Sequence, residues 1–109
     1  MFIEIKFPQK RNLIIGCIYR HPESNISIQD FTTLHLDPVL QKISQDNKQC
    51  VIMGDFNVNL LKIDVNESFN LFYNTLSSYF YTPYILQPTR LRSKSLIDNI
   101  FFQFIRISF

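Results

Sequence analysis

Asp55 and Asn57 stand two residues apart in "CVIMGDFNVNLL" (50–61), directly after an apolar run that reads as a buried strand. In open α/β sheets, polar groups at the carboxyl ends of buried strands face the ligand crevice. If the strand continues to them, alternation turns both side chains to one side. A carboxylate there can act as a general base or hold a divalent cation. A carboxamide beside it can donate to a phosphate oxygen or orient a water. Asp55 and Asn57 are therefore candidate catalytic residues and candidate metal ligands. An ordinary strand-to-loop turn, in which Asp and Asn satisfy local backbone groups, accounts for the same spacing.

Other residues of the right chemistry lie at comparable places. Tyr19 and Arg20 end the run "LIIGCIYR", where a phenol and a guanidinium can bind a phosphate. The structural alternative is a ring in the core with its hydroxyl in water. Asp98 falls within "SLIDNIFFQF", an otherwise apolar strand. A carboxylate buried there needs a cation, a metal or several donors, unless the strand is an edge and the side chain reaches solvent. Thr89, Arg90, Arg92 and Lys94 form a small basic cluster before it. Such a cluster is usually a solvated loop, but beside an acidic, metal-dependent site it suits a polyanion. His21 and His35 share no ligand spacing and read as surface residues. Nothing resembles a Gly-rich phosphate loop or a nucleophile elbow.

The elements that must position these residues follow from the hydrophobic period. "FIEIKF" alternates, with Ile3, Ile5 and Phe7 on one face, as in a half-buried strand. "LIIGCIYR" and "CVIMGDF" read as buried strands rich in β-branched residues. Between them, Ile28 and Phe31 suggest a short helical piece. Asp37-Pro38 then reads as an N-cap with proline at the first helical position, starting a helix through Val39, Leu40 and Ile43. "NLFYNTLSSYF" sets Phe69, Phe72, Tyr73, Leu76 and Phe80 at helical spacing, with Asn66 as its cap. "TPYILQPTR" is extended, and "SLIDNIFFQFI" is a last strand. The order is that of an α/β layered domain with helices packed on sheets.

Bulk properties set the limits. A chain of 109 residues forms one domain or part of one. At 46% hydrophobic and 18% charged, with 11 Phe, it is globular. A net charge of +2 does not argue for nucleic acid by itself. Cys17 and Cys50 lie in apolar strand-like runs and read as two buried thiols of an intracellular protein. A disulfide would require their strands to be neighbours. The longest apolar run before the C-terminus, "LIIGCIY", is too short to span a bilayer.

Taken in order, "IIGCIYRHP", "CVIMGDFNVNLL" and "QPTRLRSKSLIDNIF" resemble the endonuclease/exonuclease/phosphatase family. More narrowly, they are similar to the endonuclease domain that precedes reverse transcriptase in non-LTR (LINE-like) retrotransposons. The resemblance runs from about Phe2 to Phe101. It implies an α/β fold that is part of a four-layered, DNase I-like sandwich, with two facing, mainly antiparallel or mixed sheets and outer helices. Residues 1–109 would be a single partial domain. It further implies Mg²⁺-dependent hydrolysis of DNA phosphodiesters, a nuclear location if functional, and a reverse transcriptase domain in the parent polyprotein. By the same resemblance Asp55 activates or orients the attacking water and Asn57 holds the scissile phosphate. Tyr19 contacts the phosphate, and Asp98 orients a catalytic His. Thr89 and Arg90 match a segment that lies near the DNA, and Arg20, a phosphate binder by its chemistry, is a third candidate nucleic-acid contact.

The chain also departs from that pattern. The family's metal-binding Glu belongs to an earlier strand, and Glu4 does not take its place. The Ser-Asp-His motif that follows the family's last Asp strand is not found in "FFQFIRISF". Members of such a site act as a unit. The expectation is a domain truncated at both ends, with little nuclease activity alone, an uncovered sheet edge and apolar face, and marginal stability. A non-catalytic remnant or nucleic-acid-binding module is the alternative. A phosphatase acting on lipid or sugar phosphates would share the fold, but "YRHP" and "PTR…SLIDNIF" favour the retrotransposon type.

Overall fold

The structure, a computed structural model, describes residues 1–8, 10–21, 25–89, 92 and 94–103. Its strands are β1 (Phe2–Ile5), β2 (Leu13–Tyr19), β3 (Gln49–Asp55), β4 (Tyr81–Pro83) and β5 (Asp98–Gln103). They form one mixed five-stranded sheet in the order β1-β2-β3-β5-β4. The central pair β2–β3 is parallel. β1 joins β2, β5 joins β3 and β4 joins β5, all antiparallel. Parallel strands need a crossover, and a helical run supplies it. The run comprises α1 (Ile28–Asp30), a π-helical stretch (Phe31–Leu36) and α2 (Asp37–Gln45). A second helix, α3 (Glu67–Ser78), links β3 to β4.

The chain is thus α/β, with a single sheet among the described residues. Its helices pack on one face. Ile14, Cys50, Ile52, Phe101 and Tyr81 from the strands meet Leu36, Leu40, Ile43, Phe72 and Leu76 from the helical segments. Phe56, Phe72 and Phe101 form the aromatic centre, with ring centroids 5.4 to 6.1 Å apart.

The opposite face has no covering layer among the described residues. The β1–β2–β3–β5 register places Ile3, Ile15, Cys17, Val51, Met53, Ile100 and Phe102 there. Ile3 is 53% exposed, and Cys17 is exposed although it lies in an interior strand. The expectation of two buried thiols therefore fails for Cys17. Its strand is flanked on both sides, but helices cover only the face toward which Cys50 turns. The two strands are neighbours, yet Cys17 pairs with Met53 and Cys50 with Ile14, so the thiols lie on opposite faces and both are free.

The crossover also differs from its expected form. Asp37 does not cap a new helix. It is helical itself (φ −57°), and Pro38 lies within an unbroken run. A proline removes one N–H and crowds the carbonyl four residues before it. The wider π-helical turn just upstream accommodates that crowding. The cap of the whole run is Ser27, whose Oγ accepts from the Asp30 N–H at 3.1 Å. Asp37 instead accepts from the Tyr79 hydroxyl at 2.6 Å, tying α2 to the end of α3. Asn66 caps α3 as its sequence predicts, accepting from the Phe69 N–H. β1 stops at Ile5, and Phe7 lies beyond it, exposed. No helix among the described residues is long and apolar enough to cross a membrane.

Candidate functional site

The site is built from three strand ends. β2 and β3 are parallel, so their carboxyl ends lie on one side of the sheet. β5 runs the other way and starts there. The ladder pairs Tyr19 with Asp55 and Asp55 with Asp98. Register partners share a face, so the three side chains project together from the uncovered side. Neighbouring strands lie about 5 Å apart, so the row from Tyr19 to Asp98 spans roughly 10 Å.

Local sequence explains each placement. Gly54 has φ +149°, and a Cβ there would run into the Ile18 carbonyl oxygen. Only glycine lets β2 and β3 approach this closely one residue before the row. Tyr19 is largely exposed, ready to present its phenol. Asp98 is the first residue of β5 and half-buried. The sequence suggested an interior position. The residues before it are instead held in a loop, with the Leu96 N–H on Asn59 Oδ1 and the Ile97 and Asp98 N–H groups on Thr89 Oγ1.

Asp55 and Asp98 thus face each other across β3 and β5. Directly opposed like charges are unfavourable by themselves. A cation close to both relieves that repulsion. Two carboxylates are also what a largely hydrated Mg²⁺ takes from a protein. Among the described residues, no group of three or more His, Cys, Asp or Glu side chains is set to hold a metal. Asp55 and Asp98 are two such side chains, one short of a group of that kind.

Asn57 sits just past the row, with a left-handed backbone (φ +52°). Its N–H donates to Asp55 Oδ1 at 3.1 Å, and its Nδ2 donates to the Arg20 carbonyl. Arg20 in turn donates its N–H to the Asp55 carbonyl at 2.8 Å. The Arg20 side chain is not brought to the row. Its Nη2 donates to the Ile26 carbonyl at 3.2 Å, and burial pushes the guanidinium pKa down. Thr89 is beside Asp98, with its hydroxyl occupied by the two backbone donors named above. Arg92 and Lys94 are exposed, and Arg90 lies outside the described residues.

Two site neighbours escaped sequence reasoning. The His21 ring lies edge-on to Tyr19, with centroids 6.3 Å apart. Its i+2 spacing from Tyr19, the same as that of Asn57 from Asp55, was the available signal. The other is Asn59, whose Oδ1 accepts from the N–H groups of Leu61 and Leu96. The alternation Asp55, Asn57, Asn59 around apolar Phe56 and Val58 marked it. His35 packs instead on Phe31, within the crossover.

Comparison of the chain with family models, with curated proteins and with solved structures gave no match.

Proposed function

We propose that this chain carries part of a Mg²⁺-dependent phosphodiesterase site of the endonuclease/exonuclease/phosphatase type, acting on DNA like a retrotransposon endonuclease. The observation that supports it is the lateral row Tyr19–Asp55–Asp98, with Asn57 fastened beside it. Hydrolysis of a phosphodiester needs an in-line water, neutralisation of charge on the phosphoryl oxygens and help for the leaving oxygen. In this reading Asp55 orients the attacking water. The Tyr19 phenol donates to a phosphoryl oxygen. Asp55, with Asp98 opposite it in the ladder, would hold Mg²⁺, which would supply charge neutralisation when bound. The exposed Arg92 and Lys94 favour a polyanion.

The same reading makes the sheet one half of a four-layered sandwich. A second sheet would lie on the face that exposes Ile3 and Cys17 and would wall the row from above. Without the family's metal-binding Glu and its Ser-Asp-His motif in this sequence, the chain is a poor nuclease alone in this reading. Duplex binding, followed by fluorescence anisotropy, tests the reading. Mg²⁺ is expected to strengthen binding relative to EDTA, and Asp55→Ala to erase that gain. Binding indifferent to Mg²⁺ would sink the phosphodiesterase reading in favour of a non-catalytic nucleic-acid-binding module. Plasmid nicking with Mg²⁺ is expected to stay at background. Nicking that Asp55→Ala abolishes would show the site to be complete.

A further inference from the structure

The row can act as one site only if three strand ends keep their spacing, and β3 itself ends at Asp55. The loop that follows is what reaches the other two. Phe56 and Val58 are buried in the core and anchor it. Asn57 and Asn59 alternate with them and turn sideways. On one side, Asn57 Nδ2 donates to the carbonyl of Arg20, the residue just beyond Tyr19. On the other, Asn59 Oδ1 accepts from the Leu96 N–H at 3.0 Å, and its second acceptance, from Leu61 at 3.1 Å, fixes the amide's orientation. Two backbone bonds run alongside, Leu60 N–H to the Leu96 carbonyl at 3.0 Å and Phe56 N–H to the Ile97 carbonyl at 3.1 Å.

We propose that Asn57 and Asn59 are positioning residues that form a two-sided bracket. They hold the ends of β2 and β5 at a fixed separation on either side of Asp55. The purpose of the bracket rests on the phosphodiesterase reading, but its geometry does not. Asn also suits the left-handed backbone at position 57 better than most side chains do.

The two amides work with opposite polarity. Asn57 donates, whereas Asn59 accepts. The isosteric Asn→Asp exchange therefore separates them. Asn57→Asp replaces the donor and sets a carboxylate against the Arg20 carbonyl. Asn59→Asp keeps the acceptor that Leu96 and Leu61 need, whereas Asn59→Ala removes it.

The experiment uses the full chain, with amide hydrogen exchange by NMR and binding of a DNA duplex in Mg²⁺ or EDTA. Asn57→Asp frees the Arg20 carbonyl and so should loosen the end of β2, speeding exchange of the Arg20 amide, which donates to the Asp55 carbonyl, about tenfold, and leave Leu96 unchanged. Asn59→Ala should do the reverse, and Asn59→Asp should match the wild type at both. Asn57→Gly keeps the left-handed backbone but has no donor, and should behave as Asn57→Asp does. The Mg²⁺-dependent gain in binding should be lost in Asn57→Gly and Asn59→Ala and retained in Asn59→Asp. If Asn59→Ala does not fold, Asn57→Gly and Asn59→Asp still decide the matter. Wild-type behaviour of Asn57→Gly, or failure of Asn59→Asp to preserve the Leu96 amide, overturns the bracket. The expected exchange pattern without any Mg²⁺-dependent binding supports the bracket and overturns the phosphodiesterase reading instead.

Discussion

Replacing Gly54 by Ala isolates the constraint that brings β2 and β3 together beside the row. Two costs add. At φ +149° an L side chain leaves the allowed regions, which costs about 1–3 kcal/mol. The new Cβ then meets the Ile18 carbonyl, a backbone atom that cannot rotate aside. The strands must part there, weakening one or two ladder hydrogen bonds at about 1 kcal/mol each. The expected loss is about 2–5 kcal/mol, a large share of the roughly 5–15 kcal/mol that holds a domain folded. Urea denaturation followed by circular dichroism measures it. Gly16→Ala is the control. The atoms nearest its Cβ belong to the ring of Phe2, on an edge strand and exposed, and its φ is not positive. It should change stability by less than about 1 kcal/mol. If Gly54→Ala costs no more than Gly16→Ala, the argument from close approach is wrong. Because Ile18–Gly54 is the pair next to Tyr19–Asp55, Gly54→Ala should also erase any Mg²⁺-dependent DNA binding.

Three further outcomes follow from the geometry. Tyr79 donates to Asp37, which pushes its phenol pKa up to about 12. That contribution is complete below the ordinary phenol range and is lost as pH rises through about 12. Tyr79→Phe should therefore cost about 1–2 kcal/mol at neutral pH and progressively less in alkali, read from urea midpoints across pH. Glu4 is held below its ordinary pKa by the Lys48 ammonium at 2.9 Å, and secondarily by Asn12. Its stabilisation is present above the ordinary carboxylate pKa and disappears as pH falls through the depressed value. Glu4→Gln should thus lower the melting temperature at pH 7 but not in strong acid. On the uncovered face, Ile3→Lys with Ile100→Lys should reduce concentration-dependent association in light scattering without lowering the melting temperature, since both side chains are exposed. Association unchanged by the lysines would show that this face is not what makes the chain stick.

Much of the fold was legible because its signals are local. The β-branched runs ending at Tyr19 and Asp55, and the helical stripe of Phe72 and Leu76 capped by Asn66, became the elements expected of them. The rest depended on pairing that no local pattern contains. Alternation says that Cys17 and Cys50 each face one side, but not that only one side carries helices. Asp37-Pro38 has the form of a helix start, yet the upstream turn could widen, and the run continued through it. In the site, residue types marked Tyr19, Asp55 and Asp98 separately. Their meeting in one row comes from β5 pairing with β3, a register set by contacts more than forty residues apart. Asn57 and Thr89 carry the expected polar groups, but those groups are engaged with backbone, which spacing alone could not reveal.

The strand order has a kinetic consequence. β5 comes last among the described strands, yet it lies between β3 and β4 and carries Phe101 into the centre of the core. Until it is synthesised, β3 has a bare edge, β4 has no partner, and Phe56 and Phe72 lack the ring that packs against both. A ribosome-bound chain ending before Asp98 should therefore remain an open, protease-sensitive intermediate. Cooperative folding of the sheet must wait until β5 has cleared the exit tunnel.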